Sequence, residues 1–205
     1  MTRLCAILLW VSVQAAAAEE ARFYIDGDTL YFNGNVPAEA TKSRDMEPRD
    51  AIELGAYIMD FPEITTVDVR SDGGSLDAGI AMARHIQRFN LNTTVTAGCY
   101  SACTYAFLGG SKRTLKRGGT LGFHRSMASA EAFRYFADQG IQDWNANTAA
   151  INAYDRGIDA GVEFSQFLAS RGVSAEFILK VISTPPREIW VPSRAELEAA
   201  GVIND

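Results

Sequence analysis

The sequence predicts an α/β fold with mostly parallel strands. Two observations carry that expectation. A β-branched run, a glycine turn and an amphipathic helical stretch follow one another twice, at residues 64–89 and 93–109. Such alternation builds parallel strands joined by crossover helices. The 205-residue chain is also ordinary in composition, with 47% hydrophobic and 21% charged residues, which suffices to bury a core without disulfide staples. The two glycine turns then fall at one edge of the sheet, where α/β folds place their ligands.

Residues 1–18 read as a secretory signal peptide. Arg3 precedes an apolar run from Leu4 to Val13, and the small residues Ala15 to Ala18 lead to Glu19 and Glu20. That is the order of a cleaved leader, with the cut expected after Ala18. The apolar run is too short to cross a bilayer core of about 30 Å. Residues 19–205 are expected as a single domain, periplasmic or secreted from a bacterium, with no membrane span. A net charge of −6 and a pI near 5.0 argue against nucleic acid as the main partner and against docking on anionic lipid. Both want a basic face.

Along the mature chain, residues 22–36 predict two strands around the Gly27-Asp28 turn, a hairpin signal. Residues 37–48 read as a loop. Residues 49–60 predict a helix that sets Ile52, Tyr57 and Met59 among small residues and stops before Pro62;. Ile64 to Val69 predicts a strand, 71–74 a turn, and 75–89 a helix capped by Ser75;. Thr93 to Ala97 predicts the next strand, followed by a short apolar helix in CYSACTYAFL that ends at Gly109-Gly110;. Residues 120–124 predict a brief strand, 147–171 a long helix, 174–182 a helix capped by Ser174, 188–191 a strand and 194–200 a helix stopped by Gly201.

Ser101 follows a strand and a sharp turn in GCYSAC, where its hydroxyl would be exposed beside unpaired backbone N–H groups. The same position suits a serine that merely caps a helix. A serine nucleophile needs a base, most often histidine, and the chain has two. His85 lies within a helical stretch beside Arg84 and reads as a packing or surface residue. His124, at a strand end, is better placed to face the sheet edge. Gly73-Gly74 joins strand to helix as a tight turn or as a close backbone approach to a substrate carbonyl. Cys99 and Cys103 flank Ser101. They lack the further cysteines a zinc site would use, and leave a short-range disulfide or a pair of buried thiols.

SDGGSLDAG at 71–79, GCYSACTYAFLGGSKR at 98–113 and LGFH at 121–124, in this order and at these spacings, resemble the ClpP/crotonase superfamily. Within it they resemble the ClpP-type serine peptidases, and most of all the secreted ClpP-like proteins of bacteria. The resemblance implies a β/α spiral of mostly parallel strands with a helical handle. It implies Ser101 as nucleophile, His124 as general base within hydrogen-bond reach of it, and the N–H groups of Gly74 and Ala102 as the oxyanion hole. Gly73 matches the preceding glycine, on the substrate side of the turn. Family members carry an aspartate before the last strand to orient the histidine. The matching stretch here, TPPREIWVP at 184–192, has none, and Glu188 is the nearest carboxylate.

The activity implied is hydrolysis of peptide bonds in a short or unfolded polypeptide, with no cofactor and no metal. The alternative is a non-catalytic ClpP-like scaffold that holds an extended peptide or protein partner, and the missing aspartate favours it. A Ser–Lys centre would draw on Lys112 or Lys116, but His124 fits the pattern better. Residues 126–146 have no match. Residues 147–182 match the handle that superfamily members use for subunit contacts, and Ile151, Tyr154, Ile158, Val162, Phe164, Phe167 and Leu168 crowd it with apolar surface. A homo-oligomer is therefore expected.

Overall fold

The computed structural model describes residues 21–125, 159 and 161–205. The signal peptide expected over 1–18, the 126–146 stretch and most of the first half of the helix expected over 147–171 lie outside those residues. The chain divides into two compact units, one ending at Gly119 and one beginning at Thr120.

The first unit opens with the expected hairpin. Strands β1 (Phe23–Asp26) and β2 (Thr29–Asn33) pair antiparallel across Gly27, whose φ of +61° suits a residue without Cβ;. Helix α1 (Pro48–Asp60) starts on a proline, whose missing N–H leaves nothing unsatisfied in a first turn;. Strand β3 (Thr66–Arg70), helix α2 (Leu76–Arg88) and strand β4 (Asn92–Val95) form the first parallel crossover unit. Ser75 caps α2, accepting from the Ala78 N–H. Strand β5 (Gly98–Tyr100), helix α3 (Cys103–Leu108) and strand β6 (Arg113–Leu115) follow. The main sheet runs β1-β2-β3-β4-β6, parallel from β2 onward.

One face of this sheet is the core. Leu30, Phe32, Val67, Val69 and Val95 are all buried at alternate strand positions;. Thr93 joins them, its hydroxyl donating to the Phe107 carbonyl at 2.6 Å. Helix α1 packs on α2, and α2 on α3. The buried face of α1 is Ala51, Leu54, Gly55 and Ile58, while Ile52 and Met59 are 71% and 65% exposed. The sequence predicts Ile52 and Met59 within the helical pattern of this stretch. The small residues win because α2 lies close: His85 of α2 occupies the space that a Cβ on Gly55 would take.

The other face carries a polar row, Tyr24–Tyr31–Asp68–Thr94–Thr114, set by the strand register. The Tyr24 and Tyr31 rings stack at 4.6 Å. Asp68 is 3% exposed and accepts from the hydroxyls of Thr94 at 2.6 Å and Thr96 at 3.0 Å. Burial pushes its carboxyl above the usual aspartate range, against the pull of the two hydroxyls;. With the folded value above the unfolded one, the folded chain binds this proton more tightly. The contribution of Asp68 to stability is then full below the unfolded pKa and is lost as pH rises through the folded one. Asp68→Asn keeps an acceptor and never ionises. Its melting temperature is expected to gain on that of the wild type as pH rises from below the usual aspartate range to above it. A difference constant across that range would overturn the assignment.

The second unit has strand β7 (Thr120–Gly122), helix α4 (161–170), helix α5 (Ala175–Ser183) and helix α6 (Arg194–Ala199). Ser174 caps α5 and Ser193 caps α6, the latter in a reciprocal box with Glu196;. The strand expected at 188–191 is a single antiparallel bridge, Phe123 with Trp190, whose backbones exchange hydrogen bonds of 2.8 and 2.9 Å. The Phe177 ring packs on both side chains, at 5.1 and 4.7 Å. Phe164 and Leu168 of α4 are buried with Val181, Leu197 and Val202, whereas Val162 is exposed. Among the described residues no helix is long and apolar enough to cross a membrane.

Candidate active site

Two turns of the first unit meet at Ser101. After β3, the Ser71 N–H donates to the Gly98 carbonyl at 3.1 Å, and the Tyr100 N–H returns to the Ser71 carbonyl at 2.9 Å. These bonds lay β5 beside the end of β3. Cys99 and Tyr100, which the sequence predicts as the start of the following helix, are strand residues instead. The chain then turns at Ser101, which has φ +53°, a left-handed conformation that non-glycine residues adopt rarely;. Such positions cluster at functional sites, where the surrounding structure over-determines them. Gly73, at φ +114°, faces this turn so closely that a Cβ on it would lie 2.8 Å from the Ser101 Cβ and 3.2 Å from its Oγ. The structure thus brings Ser101, Ala102, Gly73 and Gly74 together. Ser101 is half-buried, and its hydroxyl forms no hydrogen bond within the first unit.

Two backbone donors stand beside it. Among the described residues neither the Gly74 N–H nor the Ala102 N–H has an acceptor. The Ser101 carbonyl accepts from both the N–H of Thr104 at 3.0 Å and its hydroxyl at 2.7 Å. In a planar trans peptide C=O and N–H point opposite ways, so this grip also aims the Ala102 N–H. A disulfide joins Cys99 and Cys103 with Cα atoms 5.3 Å apart, and it brackets the turn. Gly79 of α2 supports it from below, since a Cβ there would meet the Ala102 carbonyl at 2.3 Å. Gly79 went unnoticed in the sequence, although it ends the SDGGSLDAG motif.

His124 and Glu188 belong to the second unit. The His124 Nδ1 lies 2.7 Å from the Arg125 carbonyl. A carbonyl can only accept, so Nδ1 donates this bond, and in the neutral ring that leaves the lone pair on Nε2, the tautomer a general base needs. Glu188 is exposed, and no hydrogen bond joins it to His124 among the described residues. The acceptor on His124 Nδ1 is thus a main-chain oxygen, invisible to any reading of side-chain types.

No family model matches the chain, and no curated protein matches it. Among solved structures, a mutant of ClpP1 from Listeria monocytogenes matches with a TM-score of 0.58, at 16% identity, over 78% of this chain and 84% of that one. The chain has the ClpP-like fold. On that ClpP-like fold the Cys99–Cys103 bond closes a loop of five residues around Ser101. A loop of that length restricts the unfolded chain by about 2 kcal/mol. The double variant Cys99→Ala/Cys103→Ala is expected to lose that much stability in a denaturant titration. Equal stability would show that the bond does not hold this turn of the ClpP-like fold.

Proposed function

We propose that the protein is a serine hydrolase that cleaves peptide bonds in short or unfolded polypeptides. The observation that carries this reading is the Ser101 turn, left-handed and set beside the unpaired N–H groups of Gly74 and Ala102. Ser101 Oγ attacks the scissile carbonyl carbon while His124 Nε2 takes its proton. The carbonyl oxygen, now negative, accepts from the Gly74 and Ala102 N–H groups. Collapse of the tetrahedral intermediate breaks the C–N bond, and His124 returns the proton to the leaving amine. Water then attacks the acyl-serine by the same path. The Arg125 carbonyl fills the orienting place on Nδ1.

The 1–18 pattern supports export of the mature chain, and Val162 and Leu179, apolar and exposed on their helices, support self-association. The reading is tested with a fluorophosphonate, which phosphonylates only an activated serine, together with hydrolysis of an unfolded polypeptide. Label recovered on the peptide containing Ser101 is the expected result. A second reading, a scaffold that holds an extended peptide, draws on the lack of any hydrogen bond between Glu188 and His124 among the described residues. It predicts peptide binding without label or turnover.

A further inference from the structure

We propose that Arg22 is a positioning residue for the oxyanion hole, acting through the single residue Met46. The inference rests on the hydrolase reading above for its effect on chemistry, though not for its geometry. The peptide between Gly73 and Gly74 carries the proposed donor, the Gly74 N–H. Both flanking residues are glycines at positive φ, +114° and +141°, so the backbone offers little resistance to rotating that peptide. Its orientation must be held from outside. The Met46 N–H donates to the Gly73 carbonyl at 2.7 Å. The Met46 carbonyl accepts from the Ser75 N–H at 2.8 Å. Planarity then aims the Gly74 N–H away from Met46. A flip of the peptide would break the first bond and withdraw the donor.

Met46 belongs to no regular strand of the sheet and bridges only Gly74. An ion pair holds it from both sides. Arg22 grips Asp50 with two parallel bonds, Nε to Oδ1 at 2.7 Å and Nη2 to Oδ2 at 2.6 Å. The same Nη2 donates to the carbonyl of Asp45, just before Met46, at 2.8 Å. Asp50 Oδ2 accepts from the N–H of Glu47, just after Met46, at 2.7 Å. Nη1 closes the set on the carbonyls of Gly34 and Val36. The guanidinium therefore spends its fork on one carboxylate and three main-chain oxygens. A lysine has no planar fork and cannot reproduce that pattern. An arginine for ionic stability alone would not need to reach the Asp45 carbonyl, in the segment that holds Gly73.

The test compares wild type with Arg22→Met, Arg22→Lys and the control Ile58→Val, which loosens the core of the same unit. Hydrogen exchange is read at the Met46 and Ser75 amides, and the rate and saturation of fluorophosphonate labelling are read at Ser101. Arg22→Met is expected to speed exchange at both amides by at least about tenfold. It should also slow the labelling rate by about tenfold or more, toward the ~10²–10³ that loss of one oxyanion donor costs, at unchanged saturation. Arg22→Lys should recover part of both effects, and Ile58→Val should move neither. Unchanged amide protection in Arg22→Met would overturn the link from Arg22 to Met46. Freed amides with labelling at the wild-type rate would overturn the link from Met46 to the site. A wild type that takes no label defeats the hydrolase reading, while amide exchange still decides whether Arg22 holds Met46.

Discussion

Ser101→Ala is expected to take no fluorophosphonate label and to hydrolyse an unfolded polypeptide at least about 10⁴-fold more slowly than the wild type. The substitution removes one oxygen. Alanine and serine have the same Cβ, so the left-handed φ of +53° is no harder for the variant. The disulfide and the Thr104 bonds to the residue 101 carbonyl do not involve the hydroxyl. The variant should therefore melt close to the wild type, which separates loss of chemistry from loss of fold. The oxyanion donors would still bind a substrate carbonyl, leaving a small residual rate over water. Hydrolysis retained at more than a tenth of the wild-type rate would show that Ser101 is not the nucleophile.

Gly74→Ala strikes the opposite wall of the site. Its Cβ would lie 2.3 Å from the Met46 nitrogen and 2.6 Å from the Met46 oxygen, both main-chain atoms, at a φ of +141° that side chains avoid. Neither neighbour is the end of a flexible side chain, so the turn or the 45–47 segment has to move. A loss of roughly 2–4 kcal/mol in denaturant titration is expected, with a fall in labelling of at least the ~10² that one oxyanion donor supplies. Gly118→Ala is the comparison. It also has a positive φ, +89°, but its Cβ would meet nothing within 4 Å, so it reports backbone conformation alone. Equal losses in the two variants would mean that close approach to Met46 is irrelevant.

The parts of the fold that were legible are those written in local chemistry. Gly27-Asp28 marks the first hairpin, Ser75 and Ser174 cap the helices they precede, and the strand–glycine–helix rhythm gives the parallel pairing of β3 with β4. What stayed hidden depends on partners remote in sequence. Residues 98–100 become a strand through main-chain bonds to Ser71, which no residue type announces. Trp190 meets β7's neighbour Phe123 at one bridge, because hydrogen bonding stops there even though Ile189 and Val191 have high strand propensity;. The Ser101, Gly73 and Gly74 motifs pointed to one edge. Met46 and Arg22 did not, since the first acts only through its backbone and the second is a lone arginine before a strand.

The single-residue bridge at Met46 also bears on when the site comes into existence. Its framework joins segments from Arg22 to Ala102, about eighty residues apart, and contacts of such long sequence separation form only after large loops have closed;. No short stretch of nascent chain can assemble it. A polypeptide that is still extended carries the serine but not the aligned donors. On the hydrolase reading, its neighbours and its own unfolded segments are thereby spared at least until the first unit has condensed.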